Sequence, residues 1–266
     1  MEKIVNKPLA GTFGWLHVGG TRIVMPEKRE ELSFRLAQGE VKALVLEDSA
    51  AEKSIDVQLA RGSCLHLVQL RRAEAAALTC SDIRVRCAED AQFHWYRLVA
   101  GGQETYDNCS VLLEGEGSSF AAELGYRLSG GERYDGNCEA IHMGKRTRSS
   151  INAHGVLSER AKKLLRGTID FRTGCTGSEG SEAEDVLLLD ETVQNQSVPV
   201  ILCAEEDVAG NHAATIGQLD ERLCFYLASR GLEMEMICEM LARAKLDTVL
   251  HKIPDAALRD RLMREV

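Results

Sequence analysis

Proline is scarce in this chain, with 4 among 266 residues, and aromatic side chains make up only 5%. With 23 glycines in ordinary proportion, neither a collagenous nor a low-complexity chain is indicated. Positive charge is in deficit as well. Thirty-two Lys and Arg stand against 41 Asp and Glu, a net charge of −9, so no surplus of cations is available to displace counterions from a nucleic-acid backbone. No window approaches the ~20 consecutive apolar residues of a membrane span. The start MEKIVNKPLAGTF has no apolar run leading to a small-residue cleavage site. The expectation is a cytoplasmic protein with neither nucleic acid nor membrane as partner. The cysteines at 64, 80, 87, 109, 138, 175, 203, 224 and 238 are odd in number and contain no CxxC pair, which disfavours a disulfide scaffold and a zinc ribbon. In a reducing compartment most of them serve as small core residues.

What the chain does have is a long series of short segments rich in Val, Ile, Leu and Thr, separated by Gly, Asp, Asn and Ser. Val41 to Glu47, Ile55 to Ala60, Cys64 to Leu70, Asp82 to Cys87, Gln92 to Val99, Ser110 to Leu113, Ser119 to Leu128, Arg148 to Val156, Gly167 to Arg172, Val186 to Asp190 and Val198 to Cys203 are examples. Ile83, Val85 and Cys87 alternate with Arg84 and Arg86, the two-residue period of a strand. Few helical stretches intervene, so a doubly wound α/β fold is disfavoured. A sandwich, a barrel and a solenoid remain. No internal repeat of fixed length is visible, which argues against hexapeptide repeats but not against a β-helix with turns of variable length.

The last ~50 residues change character. Asp220 is placed to cap a helix carrying Leu223, Tyr226 and Leu227 on one face, with Gly231 at its C-terminal end. A second helix begins near Glu233, with Met236, Ile237, Met240 and Leu241 sharing a face. A third begins at Pro254 and carries Leu258 and Leu262. The division expected is a β core over residues 1–216 and a small α-helical domain over residues 217–266.

Two glycine-containing motifs are decoys. Gly144-Lys145-Arg146-Thr147 lacks the preceding glycine and following Ser or Thr of a phosphate loop, so no ATP site is expected in this chain. Glu114-Gly115-Glu116-Gly117 carries carboxylates that would repel a pyrophosphate, and reads as a turn between strands. The basic cluster Lys145, Arg146 and Arg148 reads as a solvated strand edge ahead of an anion contact. The polar stretch GSEGSEAED over residues 177–185 reads as a mobile loop.

Among the seven histidines, His212 has the least ordinary neighbours. Cys203 lies nine residues before it, and Glu205, Glu206 and Asp207 stand between them. Imidazole and thiolate are ligands for iron or zinc. Spacing alone leaves a structural histidine the commoner alternative.

The run from Gly210 to Gly231, GNHAATIGQLDERLCFYLASRG, closely resembles the signature of the SufB/SufD family of iron–sulfur cluster assembly proteins, in which a His-x-Ala-Thr core leads into Phe-Tyr-Leu-x-Ser-Arg-Gly. Gly144-Lys-Arg-Thr-Arg-Ser and Leu165-Arg-Gly-Thr-Ile look like earlier pieces of the same pattern, in the same order. The resemblance implies a right-handed parallel β-helix followed by a C-terminal helical domain. It also implies a non-enzymatic scaffold that pairs with itself or with a SufB-type protein. An ABC-type ATPase, SufC, would dock on the C-terminal helices, with Met236, Ile237, Met240 and Leu241 as the candidate contact. The cargo implied is a transient iron–sulfur cluster or iron at the subunit interface. His212 is the implied interface ligand, with Cys203 as a weaker second. Two departures favour the SufD side: Ala213 stands where SufB has Glu, and Glu184 stands where SufB carries its assembly Cys. The competing expectations are an interaction protein that keeps the fold without cluster chemistry, and a β-solenoid enzyme acting on polysaccharide. The second would call for secretion and exposed aromatic platforms.

Overall fold

In the computed structural model of the chain, residues 2–9, 18–25, 27–48, 51–72 and 77–265 are described. Alternating side chains produce strands almost throughout. After a two-stranded antiparallel piece, β1 (Glu2–Val5) and β2 (Thr21–Val24), come β3 (Lys28–Leu36), β4 (Val41–Glu47), β5 (Ala51–Leu59), β6 (Cys64–Arg72), β7 (Leu78–Cys87), β8 (Gln92–Ala100), β9 (Glu104–Leu113) and β10 (Ser119–Leu128). They are followed by β11 (Arg133–His142), β12 (Arg148–Leu157), β13 (Lys162–Phe171), β14 (Ser178–Leu188), β15 (Gln194–Cys203) and β16 (Val208–Gln218).

From β3 onward the strands sort by parity. The even strands form one seven-stranded sheet in the order β16-β14-β12-β10-β8-β6-β4, and the odd strands another in the order β15-β13-β11-β9-β7-β5-β3. Every pairing within the two sheets is parallel. The chain therefore winds as a parallel β-helix, each coil adding one rung to each sheet. Of the three architectures that strand periodicity left open, only this one lets consecutive strands avoid each other and pair with the next but one.

Coil length is irregular. Along the first column of the even sheet the rungs run Val41, Cys64, Gln92, Ser119, Arg148, Glu179 and Ala209, steps of 23, 28, 27, 29, 31 and 30 residues. A search for a fixed period fails for that reason, although the stacking is regular. Length differences are taken up at the corners. Glu114 to Gly117 is such a corner, as expected, with Gly117 at φ +70° and its N–H donating to the Lys145 carbonyl of the next coil at 2.9 Å. The Gly144 to Thr147 segment is the corner stacked on it. Arg146 sits there at φ +53° and pairs with Glu116, so the basic cluster is part of a turn ladder.

The interior is filled from both sheets by inward residues such as Leu67, Val85, Phe93, Val111, Phe120, Leu124 and Ile151. Cys87, Cys109 and Cys138 lie in the same core. The stretch expected to be a mobile loop is instead the first part of β14. Gly180, Glu182 and Glu184 point inward and are buried, and Ser178 to Leu188 pairs with β16 along its whole length. Ladder hydrogen bonds from both neighbours override the poor strand propensity of Gly, Ser and Glu.

The helices are α1 (Glu221–Ser229), α2 (Met234–Leu250) and α3 (Ala256–Glu265). Asp220 caps α1 as expected, its carboxylate accepting from the N–H groups of Arg222 at 2.9 Å and Leu223 at 3.5 Å. Pro254 precedes the third helix by two residues. Helices α2 and α3 fold back on the outer face of the even sheet. Val249, Leu250, Ile253 and Leu262 pack on Val68, Leu70, Tyr96 and Leu98, and Ala242 with Leu241 packs on Val156 and Leu187. Arg127 on β10 donates two hydrogen bonds to Glu239 on α2, at 2.8 and 2.5 Å, and Lys245 pairs with Asp185. No described helix is long and apolar enough to cross a membrane.

Candidate functional site at the terminal coil

The last coil consists of β15 and β16, and each is the final strand of its sheet. Each pairs on one side only. β16 keeps the alternation of β14, with Glu182 and His212 as Cα partners, so Gly210, His212 and Ala214 lie on the inward-facing side. Consistent with that placement, a Cβ added to Gly210 would fall 3.1 Å from Phe171 and 3.2 Å from Ile201 of the odd sheet. With no further coil to cover it, His212 is exposed, and so is every residue of β16 from Ala209 to Gln218. The histidine expected at an interface thus stands at an open end of the trunk.

Cys203 closes β15 and is also exposed, its thiol donating to the Glu205 carbonyl at 3.1 Å. His212 is four residues beyond the start of β16, about 13 Å along the strand, so the two lie on the same coil but well apart across it. No group of three metal-ligating side chains among the described residues includes either. The Glu205 carboxylate is committed to turn geometry, accepting from the Gly174 N–H at 2.8 Å and the Glu206 N–H at 3.0 Å. These bonds hold its acidity on the strong side of the usual carboxylate range.

Beneath His212 lies a buried acidic pair that inspection of the sequence did not single out as such. Glu182 is 6% exposed and one of its oxygens, Oε2, has no hydrogen-bond partner. Burial pushes its carboxyl up to about 7, the negative charge of Glu184 adds to the rise, and Lys163 opposes it. Glycine at 167 leaves the space, since a Cβ there would fall 2.2 Å from Glu182 Oε1. Glu184 differs from its neighbour in being fully engaged. The Tyr126 hydroxyl donates to it at 2.9 Å and the buried Lys163 ammonium pairs with it. The signal for this pair was the Glu-x-Glu spacing inside GSEGSEAED, which shows as an inward-facing column only once the stretch is known to be a strand.

The four helix residues expected to share a contact face are divided. Met236 and Met240 are exposed, Leu241 is half-buried against the sheet, and Ile237 is fully buried. Ile237 is thus enclosed within this chain, and Met236 and Met240 are the two of the four that face solvent. Leu223 and Tyr226 of α1, expected on an apolar face, are exposed together with Phe225, while Cys224 is the residue that α1 buries. The outer surface of α1 and the start of α2 thus presents Leu223, Phe225, Tyr226, Met234, Met236 and Met240 to solvent.

This architecture, with its open coil and helical tail, coincides with a match over residues 24–245 to the domain described as "SUF system FeS cluster assembly, SufBD core domain". The chain belongs to the SufBD family. Similar curated proteins include an iron–sulfur cluster assembly protein SufD of Bacillus subtilis, 24% identical over 174 residues that make up 65% of this chain and 40% of the relative. The SufB of the same organism is 22% identical over 226 residues, 85% of this chain and 48% of the relative. A SufBD family protein of Mycobacterium leprae is 27% identical over 172 residues, 64% of this chain and 20% of the relative. The chain thus aligns with less than half the length of each of these relatives. Both the SufB and the SufD of one organism match at comparable identity, so similarity alone does not assign this SufBD chain to either side.

Proposed function

We propose that this chain is a scaffold component of iron–sulfur cluster assembly that acts by presenting its terminal coil to a sister subunit. The observation that carries this reading is the position of His212: on the inner side of an edge strand, exposed because no coil follows, and directly above the partly unsatisfied carboxylate of Glu182. A second β-helix placed against β15 and β16 would cover the exposed strand and enclose His212 and Cys203 at the joint. An imidazole above a carboxylate, with a thiol at the corner of the same coil, offers donors for iron, and the cluster would be cargo at that joint. A thiol must lose its proton to bind iron, so burial on pairing would govern when Cys203 takes part.

The apolar surface of α1 and α2 supports docking of a SufC-type ABC ATPase. Closure of two such ATPase subunits would pull on helices tied to the trunk through Arg127–Glu239 and Lys245–Asp185, and so alter access to the joint. In this reading the chain catalyses no reaction itself, and nucleotide turnover belongs to the ATPase.

The test is anaerobic reconstitution with a SufB-type protein and a SufC-type ATPase, counting iron and sulfide per complex. His212→Ala is expected to keep the complex and lose most of the retained iron and sulfide. Unchanged retention would remove His212 from the cargo site. A second reading, an interaction protein without cluster chemistry, is favoured by one observation: Glu184, which stands where the SufB pattern has Cys, is occupied by Lys163 and Tyr126. It predicts a complex that forms normally and holds the same iron and sulfide with or without His212.

A further inference from the structure

Far from the terminal coil, the outer face of the even sheet carries a group of donor atoms that the proposed function does not use. Cys64 and His66 are two apart on β6 and so share a face. His94 on β8 is the Cα partner of His66. The two imidazoles stack with centroids 4.5 Å apart and planes inclined by 12°. Cys64 Sγ, one ring nitrogen of His66 and one of His94 all lie within 4.8 Å of one another, and all three residues are half-buried. Among the described residues this is the one group of three or more such side chains brought so close.

We propose that Cys64, His66 and His94 form a binding site for one thiophilic divalent cation of the zinc class, with the fourth coordination position open. The distances fit. Metal–sulfur and metal–nitrogen bonds of about 2.3 and 2.1 Å at a tetrahedral angle place the two donor atoms about 3.6 Å apart, and Cys64 Sγ stands 3.4 Å from His66 Nε2. His66 is already oriented for the role. Its other nitrogen, Nδ1, lies 3.3 Å from the Tyr96 hydroxyl, so a proton on Nδ1 leaves the Nε2 lone pair facing the sulfur. Tyr96 is a positioning residue of the kind that fixes the tautomer of a metal-bound imidazole. It is itself held in the apolar cluster of Leu98, Leu250, Ile253 and Leu262.

One sulfur and two imidazoles suit zinc, cobalt and copper better than calcium or magnesium. Binding converts the Cys64 thiol to a thiolate and releases one proton to solvent, while both imidazoles bind without losing theirs. The site is four to five strands from β16, about 19–24 Å, and is therefore separate from the joint proposed for the cargo. Its outcome does not depend on that reading.

The test uses the full chain, freed of metal by chelation and titrated with Co2+ and then Zn2+ in the absence of any assembly partner. One equivalent of Co2+ is expected to bind with sulfur-to-cobalt charge-transfer and tetrahedral ligand-field absorption, and Zn2+ is expected to displace it. Cys64→Ser should abolish the charge-transfer band, His94→Ala should weaken binding by more than about 10-fold, and Tyr96→Phe by about 10–100-fold with the band retained. Cys203→Ser should change nothing. In the unaltered chain, Zn2+ should shield Cys64 from alkylation, read by mass spectrometry, while Cys203 stays reactive; this measurement stands even where a variant folds poorly. A charge-transfer band that survives Cys64→Ser, or alkylation of Cys64 at the same rate with and without Zn2+, would overturn the assignment.

Discussion

The guanidinium of Arg97 on β8 grips the carboxylate of Asp107 on β9 inside the solenoid, with Nε 2.6 Å and Nη2 3.2 Å from its two oxygens. Asp48 accepts from the same Nη2 at 2.6 Å. Burial works against charge on Arg97, and the two carboxylates outweigh it and hold the guanidinium protonated. Removing Asp107 leaves the buried guanidinium with Asp48 as its one carboxylate partner and takes away the acceptor of Nε. Asp107→Ala is therefore expected to cost about 3–5 kcal/mol in urea denaturation. Arg84→Ala, which breaks the exposed pair with Asp82, should cost less than about 1 kcal/mol. Equal losses would show that burial is not what makes the Arg97 pair matter.

The buried Glu182 and His142 give the stability curve two opposing limbs. Glu182 has its folded value raised to about 7 from 4.5, so the folded state binds more protons between those values. Stability is lost as pH rises from about 4.5 to 7 and is level above. His142 has its folded value lowered by burial from 6.5 to about 4. There the unfolded state binds more protons, so stability falls as pH drops from about 6.5 to 4. Glu182→Gln should thus stabilise the chain at pH 8 by roughly 2–3 kcal/mol, with the gain vanishing near pH 4.5. Thermal melts across that range check it, and a gain independent of pH would refute the titration account.

Gly115 is required by close approach between coils. A Cβ there would lie 1.9 Å from the backbone nitrogen of Glu89 and 2.2 Å from the carbonyl carbon of Ala88. Backbone cannot rotate away as a side chain can. Gly115→Ala should destabilise by about 2 kcal/mol or more, measured by the denaturation midpoint at unchanged slope.

Helix α2 offers a contrast on neighbouring residues. Ile237→Ala should cost about 2–5 kcal/mol, because the side chain is fully enclosed. Met240→Ala should stay within about 0.5 kcal/mol, since Met240 is exposed. If Met240 were as costly as Ile237, α2 would be rotated from the position described.

The even strands were the more legible part of the fold. Cys64 to Leu70, Gln92 to Val99, Ser119 to Leu128 and Arg148 to Val156 match β6, β8, β10 and β12 to within two residues at either end. Most of their inner residues are apolar and keep the two-residue period, as Leu65 and Leu67, Phe93 and Trp95, and Phe120, Ala122 and Leu124 do. β11 was less legible, and its outward residues Asp135, Asn137 and Glu139 are buried as well. Asp135 meets Arg166 at 2.6 Å and accepts from Asn6 and Thr21 of the N-terminal segment; the inner positions of the strand are Tyr, Gly, Cys and Ala, so the alternation lacks the inner Val, Ile or Leu that marks the other strands. β16 escaped detection for another reason, being exposed on both sides. His212 was found through its family signature. The group of Cys64, His66 and His94 was hidden because His94 sits 28 residues from His66, its cross-strand neighbour, in a chain with no constant period. The Glu182 and Glu184 pair was hidden inside a stretch whose composition reads as a loop.

Because the corners absorb every difference in coil length, a residue inserted at a corner shifts all later sequence numbers and leaves the vertical neighbours on the sheets unchanged. Each outward column is then a fixed address strip on the trunk, indifferent to the count of residues between its members. Aligning related chains rung by rung, in place of residue by residue, would show whether the strip holding sulfur and imidazole keeps its chemistry while the corners drift.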